Sequence, residues 1–358
     1  MKKLACNIVT SWPLRSGIGS GVAVVVESIH KELTKEGYDA ELISPDFKSE
    51  GYFTSSLKRV LFNRSINADI ALSGRKTVAF DIDGFSFPHQ ARFASINGGT
   101  LSDIVRFESG VVRRVLETLA LLEKKACEKA EIVFAPSVYS QKKICALYGI
   151  DEKKVKLMHN GIFFGEFRER ITNSTLIEDR PPTVLTVARL YKRKGIDSLI
   201  NVWPQVLSRF PDAVLRIVGD GLEFDNLDRQ VQRMKLEDSV ILEGEIRDAE
   251  KIASMYANCD IFCLPSLHET FGIVYLEAMA AGKPVVALNS TAVPEVIRDG
   301  MDGFLIEPGD GKSLAEKIIL LLDDTDLSRK MGMEGMERVK RQFDWHDVIK
   351  PLIVWLES

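Results

Sequence analysis

Two cations and two carboxylates, placed where turns meet helices, are the residues here best suited to chemistry. Arg189 ends an apolar run and Lys194 follows five residues later, just before a helical pattern, in ARLYKRKG. Cations at a strand end beside a helix start suit a diphosphate, because they neutralise phosphate oxygens while the helix's free N–H groups and positive dipole end add to them. Lys192 and Arg193 lie in the same loop, so a solvated basic turn is the other reading of this segment. Further along, LPSLHETFGIVYLEAMAAGKPVVA (264–287) presents Glu269 on a loop before Phe271-Gly272, and Glu277 within a helix predicted from Ile273 to Ala281. At this spacing, with Glu277 about one and a half turns into the helix, both carboxylates can face one ligand. Carboxylates accept hydrogen bonds from vicinal diols, which makes sugar and ribose hydroxyls natural partners. Gly272 allows a ligand close to the backbone at the helix start.

Other chemistry-bearing residues form weaker patterns. Gly17-Ile18-Gly19-Ser20-Gly21 joins the first predicted strand to its helix, as a cradle for a phosphate or acceptor or as a plain tight turn. As a dinucleotide fingerprint it fails, since Val22 or Val24 stands where the third glycine belongs. Asp81-Ile82-Asp83 mimics a metal motif of a different architecture, and no clustered ligand set or HExxH occurs, so no metal is expected. Of the histidines, His268 adjoins the Glu269 segment as a wall residue or a chemical one, and His89 sits in a loop on the acceptor side. Cys6, Cys127, Cys145, Cys259 and Cys263 are scattered without a CxxC pair, which predicts buried thiols rather than disulfides or zinc, and a reducing cytoplasm.

The elements that must position these residues alternate between strand and helix. LACNIVT (4–10) reads as a strand, and Val22, Val25, Val26, Ile29 and Leu33 keep a helical period up to Lys35, with Gly37 as the cap and AELIS (40–44) as the next strand. The unit restarts at TVLTVAR (183–189), followed by a helix with Ile196, Leu199, Ile200 and Trp203 on one face. AVLRIVG (213–219), SVILEG (239–244), DIFCLP (260–265) and PVVALN (284–289) complete the strands. Such alternation predicts α/β architecture with two doubly wound parallel sheets, and ligands at the carboxyl ends of the strands. A length of 358 residues suits two domains, placed at 1–168 and 180–342 with the boundary in the polar, proline-bearing stretch Glu169 to Pro182.

The ordered motifs resemble glycosyltransferase family 4, the retaining group with the GT-B fold. The resemblance rests on Arg189 to Lys194-Gly195, on Val218-Gly219-Asp220-Gly221, on Glu269-Thr-Phe-Gly-Ile-Val-Tyr-Leu-Glu277 followed by Ala278-Met279-Ala280-Ala281-Gly282-Lys283-Pro284-Val285-Val286, and on Pro294-Glu295-Val296-Ile297. Asn160-Gly161-Ile162 precedes them, so the matches span residues 130–310 in order. The resemblance implies two Rossmann-like domains facing across a cleft, with segment 343–358 packing back on the first through Trp345, Ile349, Leu352 and Leu356. It implies a nucleotide-diphosphate sugar donor, such as a UDP-sugar, and a glycan or lipid-linked acceptor in cell-envelope or exopolysaccharide synthesis. By position, Glu269 would hold the donor sugar, Glu277 the ribose, Arg189 and Lys194 the departing diphosphate, and Ile246 would lie near the base. Phe271, Gly272, Ile273, Gly219, Gly19 and Gly21 would complete the donor site. In that family retention comes without an enzyme nucleophile: the acceptor attacks from the leaving-group face and a donor phosphate oxygen takes its proton. A histidine often follows a later strand of the first domain, and Asn97 stands there in this chain, with Gly98 and Asp103 as further acceptor-side candidates. No cofactor is implied.

Net charge is −4, but residues 1–165 hold 23 basic and 18 acidic side chains, and the remainder 24 and 33. The basic first part suits an anionic membrane or an acidic acceptor, or is ordinary surface variation. Within 47–65, aromatic and aliphatic residues mix with Lys58, Arg59 and Arg64, as peripheral membrane contact or as a mobile acceptor loop would require. The short apolar stretch before Trp12 and Pro13 reads as a strand rather than a signal peptide, and no run is long enough to span a membrane, so a cytoplasmic or inner-face peripheral protein is expected, with no nucleic-acid partner. Two other functions share this architecture: a nucleotide-sugar epimerase, and a nicotinamide-dependent oxidoreductase with Asp46 on the ribose.

Overall fold

A computed structural model describes residues 4–14, 21–47, 52–66, 70, 73–80 and 92–358. The chain divides into two compact units, residues 1–160 with 345–358, and residues 161–344.

The first unit holds β1 (Ala5–Thr10), β2 (Asp39–Ile43), β3 (Lys76–Phe80), β4 (Phe93–Ile96), β5 (Ile132–Ala135) and β6 (Val155–Leu157). Among the described residues they form one parallel sheet in the order β2-β1-β3-β4-β5-β6. The order reverses between β1 and β3, the point where doubly wound sheets open a crevice. β1, β3, β4 and β5 are almost wholly buried, which is why they read as apolar runs rather than alternating ones. Helix Gly21–Lys35 buries Val25, Val26, Ile29 and Leu33, the predicted face.

Residues 345–358 belong to this unit. Trp345, Ile349, Leu352 and Leu356 are buried. Tyr38 donates its hydroxyl proton to Glu357 at 3.0 Å, and the Lys76 ammonium donates to the Trp355 carbonyl at 2.7 Å.

The second unit holds β7 (Thr183–Val187), β8 (Val214–Val218), β9 (Val240–Gly244), β10 (Ile261–Leu264), β11 (Val285–Leu288) and β12 (Gly303–Ile306). They lie in the order β12-β11-β10-β7-β8-β9, all parallel. Counted within the unit this is 6-5-4-1-2-3, the dinucleotide-fold order, with its reversal between β7 and β10. The two halves are therefore both doubly wound but differently ordered.

The unit boundary differs from the expected one. Residues 161–168 belong to the second unit because helix Phe164–Asn173 is amphipathic: Ile162 and Phe167 sit in the second core, and the Phe167 ring meets Tyr256 edge-on at 6.0 Å. The polar, proline-bearing stretch is a surface connection inside this unit rather than a linker. Phe343 also stays in the second unit, its ring 5.6 Å from Phe271, so the returning segment starts at Trp345.

Candidate functional site

β7 and β10 pair with Val184 opposite Ile261, so both leave the sheet at the same edge, at the reversal point. The chain after β7 carries Arg189 and Lys194, and the chain after β10 carries Glu269. A side chain–backbone and a backbone contact join the two loops: Leu267 N–H donates to the Arg193 carbonyl at 2.8 Å, and Ser266 Oγ to the same carbonyl at 3.4 Å. The outcome is a close ion pair, with Lys194 Nζ donating to Glu269 Oε1 at 2.6 Å and both side chains largely buried. Glu269 is tied by its backbone as well, its N–H donating to Thr291 Oγ1 at 2.9 Å and its carbonyl accepting from Ala292 N–H at 3.3 Å.

Arg189 stands beside a third loop. Its Nη1 lies 3.6 Å from Glu245 Oε1, and Arg247 shares that carboxylate at 2.7 Å. Two hydrogen bonds to the exit of β8 clamp the backbone on either side of the arginine. The Ala188 N–H donates to Val218 and the Leu190 N–H to Asp220, each at 3.0 Å. Gly219 has φ +139°, and a Cβ there would stand 1.8 Å from the Ala188 carbonyl oxygen. The expected ligand-facing glycine is thus needed first for this backbone approach.

The Glu277 helix spans Ile273–Ala280, and no side chain caps its amino end. In its first turn the Tyr275 N–H donates to the Gly272 carbonyl at 3.0 Å, while the Ile273 and Val274 N–H groups precede any intrahelical acceptor and meet no side-chain cap. Gly272 precedes it, and a Cβ at that position would press on the Tyr275 ring at 2.4 Å. Phe271 is fully buried and anchors this turn in the core, its ring edge-on to Phe343. Ile273 and Ile246 are partly exposed, the latter in the loop after β9 with its inner surface against the core.

Glu277 lies one helical face behind that amino end. Its Oε2 accepts from the Tyr256 hydroxyl at 2.8 Å. Burial raises its carboxyl from the usual 4.5 to about 7, against the lowering effect of the tyrosine's hydrogen bond. The same carboxylate and burial push the Tyr256 hydroxyl well above its ordinary range. His268 is buried beside Ser266, whose hydroxyl donates to the His268 carbonyl at 3.1 Å, a wall position.

The first-unit candidates fare differently. Asn97 is buried after β4 and donates to Glu123 Oε1 at 3.0 Å; Glu123 also takes the Leu101 N–H and the Tyr148 hydroxyl. Asp103 is buried too, accepting from the Tyr139 hydroxyl at 2.6 Å, with Lys143 at 3.3 Å and Arg106 at 3.4 Å. Asn97 thus spends its amide donor and Asp103 its carboxylate on internal partners, while the buried Asn97 Oδ1 finds no hydrogen-bond partner among the described residues. Gly98 between them is exposed, as is Gly21 at its helix start. Gly19, the Asp81-Asp83 pair and His89 lie outside the described residues. In helix Tyr52–Ser65, Arg59 turns inward, donating to Ser11 Oγ at 3.1 Å and stacking 3.9 Å from the Trp12 ring centre, so it is withdrawn from any membrane surface. Four of the five thiols are buried and all are free; none of the described helices is long and apolar enough to cross a membrane.

Sequence reasoning missed Tyr256, Thr291 and Glu245. Tyr256 sits in an ordinary amphipathic helix, Ala249–Ala257, and its partner is twenty-one residues away in the chain. Nothing local to any of the three marks it out.

Comparison with known proteins adds to this geometry. The chain is 38% identical over 173 residues to the phosphatidyl-myo-inositol mannosyltransferase of Mycobacterium leprae, covering 48% of this chain and 45% of that protein. It spans about half the length of the curated relatives it matches. Among solved structures it is similar to sucrose-phosphate synthase from Thermosynechococcus elongatus, with a TM-score of 0.81, 21% identity and coverage of 99% and 98% of the two chains. It is also similar to Anabaena HepE in complex with UDP and glucose, with a TM-score of 0.72, 21% identity and coverage of 99% and 100%. The chain has the GT-B fold, and residues 167–338, all within its second unit, match the family model described as glycosyl transferases group 1.

Proposed function

We propose that the protein transfers a sugar from a nucleotide-diphosphate donor to a glycan or lipid-linked acceptor, with retained configuration and without a catalytic metal. The observation that carries this is the Lys194–Glu269 pair at the reversal point of the second sheet. A sugar diphosphate asks for a cation and a hydroxyl acceptor side by side, and this pair supplies both. When a donor binds, the ammonium turns to the diphosphate and the carboxylate to the sugar hydroxyls.

The mechanism follows from charge. Breaking the anomeric bond builds negative charge on the nucleoside diphosphate, so fixed cations stabilise the transition state more than the ground state. Lys194 and Arg189 provide them, and the uncapped helix start at Ile273 adds N–H donors. Glu277 accepts from ribose hydroxyls and Ile246 lies against the base. Because Glu269 is engaged by a lysine, it serves as a binding group, while the acceptor attacks from the leaving-group face and gives its proton to a donor phosphate oxygen.

The similar proteins support this reading: one acts as a phosphatidylinositol mannosyltransferase by name, and another holds UDP and glucose. A lipid-linked acceptor in envelope or exopolysaccharide synthesis also suits the exposed Leu57 and Leu61 on helix Tyr52–Ser65, beside Lys58 and Arg64, as a peripheral contact at the inner membrane face. The test is incubation with UDP- and GDP-sugars and short-chain phosphatidylinositol or alkyl glycosides, in the presence of EDTA. Transfer with the donor's anomeric configuration in the product is expected. An inverted product, or transfer that returns only with added divalent metal, contradicts the mechanism.

A further inference from the structure

Among the described residues, three that are not glycine have positive φ: Asp179, Lys235 and Thr291. Lys235 ends a helix in a left-handed cap, an ordinary use of that conformation. Thr291, at φ +52°, is the β-branched one, and for such a side chain the left-handed region is strained. Strain of this kind persists only where surrounding structure holds it, and it gathers at functional sites.

The surroundings of Thr291 show what holds it. It follows β11, the strand next to β10, so it emerges at the edge that carries the Lys194–Glu269 pair. Its Oγ1 accepts the Glu269 N–H at 2.9 Å, and the next residue's N–H, of Ala292, returns a bond to the Glu269 carbonyl at 3.3 Å. The preceding Ser290 donates its hydroxyl to the Leu267 carbonyl at 2.7 Å. Three successive residues thus grip the loop 267–269 from one side, while Lys194 grips the Glu269 carboxylate from the other. A relaxed, right-handed backbone at position 291 would swing the hydroxyl away from that amide.

We propose that Thr291 is a positioning residue for Glu269: its left-handed backbone is retained so that its hydroxyl fixes the Glu269 amide and, through it, the direction of the carboxylate. The consequence for turnover rests on the reading that Glu269 holds the donor sugar; the consequence for the loop does not.

The test compares Thr291→Gly, which accepts the same φ but lacks the hydroxyl, with Thr291→Ser, which keeps it. Amide exchange of the peptide spanning 266–272, measured by mass spectrometry, reads the loop directly, and melting temperature reports folding. In Thr291→Gly the melting temperature stays level or rises, exchange at this peptide quickens at least tenfold, kcat falls tenfold or more, and the Kd for UDP or GDP moves less than threefold. Thr291→Ser restores slow exchange and wild-type kcat within threefold. Unchanged exchange in Thr291→Gly overturns the proposal whatever the activity does, and equal defects in the Gly and Ser variants overturn the role of the hydroxyl. Altered exchange with no sugar transfer by the wild type would leave the positioning intact and strike the functional reading instead.

Discussion

The Tyr256 hydroxyl and the Glu277 carboxylate meet at 2.8 Å within the second unit, joining the helix after β9 to the helix that begins at the candidate site. The tyrosine gives Glu277 one donor, too few to offset the burial that lifts its carboxyl to about 7. Under the proposed function the further donors that such a carboxylate needs are ribose hydroxyls.

Nucleotide binding should therefore depend on pH around neutrality. The binding form is the carboxylate, so the proton must leave on binding, and affinity falls as pH drops through about 7. From pH 8 to pH 6 the Kd for UDP or GDP should rise about tenfold by linkage. The same titration of Glu277→Gln, which has no side-chain proton to lose, keeps only the slope of the nucleotide's own terminal phosphate, and the tenfold change should be what remains of the wild-type slope after that is subtracted.

Stability should move in the opposite sense. A raised carboxyl contributes stability that is complete below its ordinary value near 4.5 and is lost as pH rises through about 7. Glu277→Gln removes that loss. At pH 8 the variant should be more stable than wild type by about 1–3 kcal/mol, discounted for the part of the side chain that water reaches. Denaturant melts at pH 8 and pH 5 check this: the gap should close at the lower pH. A more stable protein that binds nucleotide less well is the usual signature of a functional group held at a cost.

Lys194→Ala should reduce kcat by roughly 10²–10³, the scale for removing one preorganised charge from a transition state. It also strands Glu269 in a largely buried position, so Lys194→Ala with Glu269→Gln should melt higher than Lys194→Ala alone. Lys194→Arg should not rescue turnover, since a planar fork does not replace a compact ammonium. Steady-state kinetics on the three variants read this directly.

Gly219→Ala should act on the fold rather than on the ligand. Its Cβ would fall 1.8 Å from the Ala188 carbonyl oxygen, backbone that cannot move without displacing Arg189. A loss of roughly 3 kcal/mol is expected, seen as a melting temperature lower by about 5–10 °C. Gly149→Ala, a left-handed helix cap with open space around it, should cost less.

Much of this was legible in the residues. Strands such as 183–187 and 261–264 are buried on both faces, so each appears as an unbroken apolar run bounded by polar turns. The Ile196-Leu199-Ile200-Trp203 face is buried as its period requires. Lys194 and Glu269 were visible as types, but their pairing depends on which strands are neighbours, and sequence order does not state that β7 lies beside β10. The boundary at 160/161 escaped because helix Phe164–Asn173 is polar overall and reveals its single apolar face only when packed. Asn97 and Asp103 looked like surface groups because their partners, Glu123 and Tyr139, lie 26 and 36 positions away.

Equilibrium binding of UDP, GDP and ADP to the wild type, Arg189→Ala and Lys194→Ala, by calorimetry at pH 8, tests most directly the claim that these cations gather a diphosphate. At least one nucleoside diphosphate should bind the wild type in the micromolar range, weaken tenfold or more in each variant, and outbind its own monophosphate. Binding that is untouched by both substitutions, or that is equal for monophosphate and diphosphate, would contradict the account.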